Sequence, residues 1–347
     1  MSYSWGSDSG PPSIPSSGGY DFGAARDAYR DEPIRPSSRS RRREDSKPSD
    51  ALASRRGKTK APVGKNLSTK STHPIVIAID GTGSMSEWPG IILEKLPLLG
   101  KEIERYAPKY AISFCVFGDS QSEDKFPLQV RDFDSDKALD EHIGELYPEG
   151  GGGDTPESQG LVAYYYLNHC EIASAVKPIF IFVTDAPFHL AITKNEIHTY
   201  TGDEAQSDLN PKSVMKKLSQ KFTTYVVLKD YGSGGSEDDW INIFDAQHVL
   251  PFKEPRDIVE VLIGIIAGEV GKYEDFEKRS SKRHTDMPER VSRVKASLKS
   301  VKLISKKISD EEGAGKSKKI GATKDAGGKT LKSFHHQLTG SVDIKWP

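Results

Sequence analysis

Three short stretches of the 347-residue chain gather the side chains that suit a hard cation. Asp80-Gly-Thr82-Gly-Ser84 places a carboxylate and two hydroxyls on one glycine-rich turn. Thr184-Asp185 closes the most apolar run of the sequence with a second carboxylate. Between them GGGGDTPES (150–158) carries Asp154 and Thr155 on a loop that leads into a helix. Carboxylates and hydroxyls brought to one rim suit a divalent ion that takes oxygen ligands. Mg2+ requires near-octahedral geometry and keeps some of its waters, so hydroxyl ligands with water-bridged carboxylates fit it, with Mn2+ as the alternative.

Other chemistries that these stretches bring to mind each lack a part. A phosphate-binding loop needs Gly-Lys-Ser/Thr, whereas Asp154-Thr155-Pro156 follows the glycines here. A dinucleotide fingerprint after the first strand is interrupted by Trp88 and Pro89. The chain contains no Gly-x-Ser-x-Gly elbow for a nucleophile. Metal-assisted hydrolysis at Asp80 and Asp185 would need a general base held by a partner. His189 is the one candidate beside the rim, and it reads as a satisfied or solvated loop histidine. No catalytic residue is assigned and no enzyme activity is expected; a metal-dependent hydrolase is kept as an alternative. Trp88 is either an anchor facing a partner or a side chain packed on the rim.

The elements that must position these residues follow from hydrophobic patterning. PIVIAID (74–80), YAISFCVFG (110–118), KPIFIFVTD (177–185), FTTYVVLK (222–229) and AQHVLPF (246–252) are short β-branched or aromatic runs, and LQVRDFD (128–134) is edge-like. Helical spacing is predicted over 91–106 with a kink at Pro97, about 136–146, through LVAYYYLNHC, near 211–220, over 236–245 and over 257–270. The stretch from 186 to 210 reads as a polar loop. Strands alternating with helices argue for an α/β, doubly wound, mainly parallel sheet flanked by helices. In such folds a ligand sits at the carboxyl ends of the central strands, where Asp80 and Asp185 lie.

Asp80-x-Thr82-x-Ser84, Thr155 and Asp185, in this order of elements, resemble the metal-ion-dependent adhesion site of von Willebrand factor A (vWA) domains. The resemblance covers about residues 73–275. It implies that Asp80, Thr82, Ser84, Thr155 and Asp185 hold the ion, with an open position for a partner's Asp or Glu. Thr82 stands where many members carry Ser, and the hydroxyl is kept. Counting back from Leu161 favours Thr155 over Asp154 as the loop ligand. The wording DGTGSMSEWPG and GGGGDTPES is most similar to intracellular bacterial members. Such members often work with AAA-type ATPases, so an ATPase is an implied partner class.

Charge divides the chain into segments. Residues 1–72 carry a net +6, 278–347 a net +11, and 73–277 a net −18, within a total of −1. The expected organisation is a disordered basic arm (1–72), a vWA-like domain (73–277), a basic amphipathic helix (278–309), and a linker with a terminal segment (310–347). The first arm is rich in Ser, Pro, Gly and Arg and too polar to bury a core. The helix sets Val291, Val294, Leu298, Val301, Ile304 or Leu303, and Ile308 at three- and four-residue spacing among lysines and arginines. It could dock on the acidic body, fill a partner's groove or lie on an anionic membrane. A nucleic-acid-associated role through the basic arms is the second functional alternative. No run of about 18 apolar residues crosses a membrane, and the first residues lack the pattern of a secretory signal. Cys115 and Cys170 lack zinc-site spacing and read as core, so a cytoplasmic protein with reduced thiols is expected.

Overall fold

The computed structural model describes residues 61–85, 88–122, 124–135, 137–147, 156–229 and 235–320. The expectations for residues 1–60, for Asp154 and Thr155, and for 321–347 fall outside them. The β-branched run at 73–80 becomes a strand buried along its length, because helices cover both faces. The strands in chain order are β1 (Leu67–Ser68), β2 (His73–Asp80), β3 (Tyr110–Phe117), β4 (Leu128–Val130), β5 (Cys170–Glu171), β6 (Ile179–Thr184), β7 (Thr223–Lys229) and β8 (Val249–Phe252). Six of them form one sheet in the order β4-β3-β2-β6-β7-β8, parallel throughout except for the antiparallel edge strand β4. The doubly wound, mainly parallel architecture is therefore present.

Period-two alternation divides the core. Ile75, Ile77, Ile79, Ile181, Val183, Tyr225 and Val227 point to one face. Val76, Ala78, Phe180, Phe182, Val226 and Leu228 point to the other. The first face is covered by α1 (Trp88–Glu94), α2 (Leu96–Tyr106) and a later helix, α8 (Ile258–Glu269). The break between α1 and α2 falls at Lys95, two residues before Pro97, where a kink is expected. Between β4 and β6 come α3 (Lys137–Gly144) and α4 (Gln159–Asn168); α4 shares the second face with α6 (Pro211–Lys221) and α7 (Gly235–Phe244).

The structure departs from the sequence reading in three places. The polar stretch after β6 contains α5 (Lys194–Thr201), held by a capping box between Thr193 and Glu196 and ended by Gly202 at φ 85°. Residues 61–72 are ordered on the body: β1 pairs with β5, and the Tyr165 hydroxyl donates to the Lys65 carbonyl at 2.9 Å. The basic amphipathic segment is three helices, α9 (Tyr273–Arg283), α10 (Pro288–Ser297) and α11 (Lys299–Ile320). Pro288 disfavours helix at Met287, and fully buried Leu298 marks the second break.

These helices dock on α8, which explains why every residue of α8 is buried and why its sequence is apolar all round. Two glycines let them approach. A Cβ on Gly264 would sit 2.3 Å from Leu298 Cδ1, and one on Gly268 would sit 2.2 Å from Val301 Cγ1. Charge pairs fix the docking. Arg283 forks onto Glu260 (Nε–Oε1 3.0 Å, Nη2–Oε2 2.9 Å) and reaches Glu102, which Arg279 also grips. Arg290 and Arg293 meet Asp257 at 2.8 and 3.0 Å. Among the described residues no helix is long and apolar enough to cross a membrane.

Candidate metal centre

The connection leaving β2 passes to β3 on one side of the sheet, while β6 joins β2 on the other. The crevice between the carboxyl ends of β2 and β6 is therefore the topological switch point of the fold. Asp80 is the last residue of β2, and Asp185 is the residue after β6. Beyond Asp80 the chain turns through a 3-10 helix at Gly83–Met85, pinned by buried Met85 and by the Met85 amide donating to the Thr82 carbonyl at 2.9 Å.

Asp80 is fully buried, and both its oxygens accept hydrogen bonds. Oδ1 takes the Thr82 amide at 3.0 Å and the Thr82 hydroxyl at 2.6 Å; Oδ2 takes the Thr184 hydroxyl at 2.8 Å. Gln159, in the first turn of α4, donates in turn to Thr184 Oγ1 at 3.1 Å. Burial pushes the Asp80 carboxyl up to about 6, helped by the negative charge of Asp185 and opposed by the bonds from Thr82 and Thr184. Asp185 is also buried, and its Oδ2 has no hydrogen-bond partner. Thr82 is buried and Ser84 is exposed at the turn. The structure thus brings Asp80, Thr82 and Asp185 to one rim with Ser84 beside them; Thr155 lies outside the described residues.

Three neighbours of this rim were not singled out from the sequence. Glu157 is buried, with Oε2 lacking a hydrogen-bond partner. Burial, followed by the charges of Asp80, Asp119 and Asp124, pushes its carboxyl up to about 10. Its signal was its place two residues after Thr155 at the mouth of α4. Lys229 ends β7, the strand next to β6, so its signal was the third strand tip at the same rim. Asp119 follows β3 and holds His189 Nε2 at 2.6 Å on Oδ1, so His189 is a satisfied histidine. Trp88 is fully buried, with its ring edge-on to Phe252 at 5.2 Å, and it packs inside the rim rather than facing outward. Cys115 and Cys170 are free and buried, in β3 and β5.

The donor set fits a hard divalent ion. Two buried carboxylates face one crevice, one with an orphaned oxygen, and hydroxyls flank them. Among the described residues no group of three or more His, Cys, Asp or Glu side chains is disposed to hold a metal. A site here would accordingly be built from two carboxylates completed by hydroxyls.

No protein-family model and no curated protein matches the sequence. Among solved structures the chain is similar to the pilus adhesin SpaC of Lactobacillus rhamnosus GG, at 12% identity and a TM-score of 0.43 over 61% of this chain and 32% of the adhesin. It is similar to a von Willebrand factor type A protein of Catenulispora acidiphila, at 17% identity and a TM-score of 0.37 over 58% of this chain and 43% of that one. Proximal thread matrix protein 1 of the mussel byssus is similar at 14% identity and a TM-score of 0.38, over 58% of this chain and 49% of that one. The chain spans less than half the length of each of these three proteins.

Proposed function

We propose that the chain is a vWA-type interaction module, acting in the cytoplasm, that binds an Asp or Glu of a protein partner through Mg2+ or Mn2+. Asp80, Thr82, Ser84, Thr155 and Asp185 would hold the ion. One observation carries the reading: neighbouring parallel strands end in two buried carboxylates at the switch point, and Asp185 Oδ2 is left without a hydrogen-bond partner. When bound, the ion supplies a positive, oxygen-seeking position that a partner's carboxylate can complete.

The chain's own residues do the rest. Thr82 and Thr184 fix the Asp80 carboxylate from both sides, so it need not reorganise on loading. Met85 holds the turn that carries Ser84. The net −18 of residues 73–277 disfavours an acidic partner except where a cation compensates, which directs recognition to the rim. The resemblance to intracellular members supports an AAA-type ATPase as partner class.

Calorimetric titration with Mg2+ and Mn2+ tests the reading. The wild type should bind one ion saturably, and an Asp80→Ala/Asp185→Ala double variant that still melts cooperatively should not. Mg2+ at a hundred times its dissociation constant should stabilise the wild type by about 2.7 kcal/mol. A folded wild type that binds neither ion would refute the metal centre.

A further inference from the structure

Lys229 brings a positive charge of the chain's own to the carboxylate rim. Its ammonium donates to the Ser84 carbonyl at 2.6 Å, lies 3.8 Å from Asp185 Oδ2 and sits over the Trp88 ring, 5.9 Å from its centre. The side chain is 17% exposed, and Asp185 is nearly closed to solvent. The three groups around the ammonium are held in place: the Ser84 turn by Met85, Trp88 by Phe252, and Asp185 by the end of β6. The orphaned oxygen of Asp185 therefore already faces a cation, at ion-pair rather than hydrogen-bond distance.

We infer that Lys229 is a tethered counter-ion of the metal rim that competes with the divalent ion for Asp185. The inference rests on the metal reading above. An ammonium on a flexible four-carbon stem can neutralise a buried carboxylate and then swing away, which a fixed residue cannot do. With Lys229 in place a divalent ion meets like-charge repulsion at the rim and must displace the ammonium. The affinity of the site is thereby set lower than its oxygen donors alone would give, and loading becomes an exchange of one cation for another.

Mn2+ titration of the full chain, as wild type and as the Lys229→Gln, Lys229→Met and Lys229→Arg variants, tests this. Gln and Met should tighten binding about tenfold, or ~1.4 kcal/mol, and Arg should leave it near the wild-type value. The metal-free Gln variant should melt below the wild type, because Asp185 has lost its counter-ion, and saturating Mn2+ should shift its melting temperature further than it shifts that of the wild type. Should the Met variant not fold, the Gln variant, which can still donate to the Ser84 carbonyl, carries the test. Equal or weaker binding by folded Gln and Met variants would overturn the competition while leaving the metal centre standing. Absence of Mn2+ binding in the wild type and every variant would overturn both.

Discussion

Arg283 is the residue whose loss should most clearly detach the C-terminal helices from the sheet. It forks onto Glu260, which is 1% exposed, and its Nη1 lies 2.9 Å from Glu102, which is 3% exposed. Replacing it with Met keeps much of the apolar stem but leaves two buried carboxylates short of charge. Glu102 retains Arg279; among the described residues Glu260 retains only His284, at 3.0 Å. Breaking one side of a buried pair costs about 3–5 kcal/mol. The surviving partners soften this, so Arg283→Met should cost about 3 kcal/mol, most of it from Glu260. Glu260→Gln should cost less, since Arg283 keeps Glu102. The double variant removes both charges and should cost less than the two singles together, with a coupling of about 2 kcal/mol, within the range of contacting residues. Urea unfolding of the four proteins, followed by far-UV circular dichroism, measures this. An Arg283→Met variant within 0.5 kcal/mol of the wild type, a bound about the size expected for surface substitutions, would show that the pair is not what holds these helices.

The same cluster predicts an acid limit. Burial alone would raise the Glu260 carboxyl, but hydrogen bonds and charge from His284 and Arg283 hold it well below its ordinary 4.5, and Glu102 is lowered by Arg279 and Arg283. A depressed carboxyl contributes stability that is present above the unfolded value and lost as pH falls below it, so the melting temperature should drop as pH falls from 4.5, and less steeply in Glu260→Gln. Gly268→Ala sets a Cβ 2.2 Å from Val301 Cγ1; overpacking of about 1–3 kcal/mol should outweigh a helix-propensity gain of about 1 kcal/mol, and adding Val301→Ala should recover the loss in chemical unfolding. Trp88→Ala should cost about 3–5 kcal/mol by the same measurement, because the ring is core; a change under 1 kcal/mol would return it to the rim surface.

Much of this architecture was written in local pattern. The strands of the central sheet are largely β-branched or aromatic runs bounded by turns, and few polar residues, such as Ser113 and Thr224, interrupt their buried faces. Asp80 and Asp185 were legible for the same reason, since a carboxylate that ends an apolar run lies at a strand tip. Helix α5 was obscured by its polarity (KNEIHTYT), and only the Thr193–Glu196 capping box and Gly202 betrayed it. The order of 61–72 depends on distant partners, Thr201, Tyr165 and Cys170, that no local window contains. Glu157 and Lys229 became visible only with the sheet order, which sets β7 beside β6 and brings the mouth of α4 against β2.

The segment before β2 meets the body at the pole opposite the carboxylates, whereas the C-terminal helices lie along α8 from Asp257 at its rim end to Gly271 at its foot. Residues 61–72 run past the foot of the sheet, from the end of α5 to the start of β2. Helix α11 passes Gly264 with Leu298 at its head, then Gly268 with Val301 and Gly271 with Ser309, so it heads the same way as α8, away from the rim. A strand of eight residues at about 3.3 Å each separates the two poles by roughly 25 Å. The surface formed by residues 61–72 and the crevice at the switch point are thus separate, and the sheet between them sets their spacing.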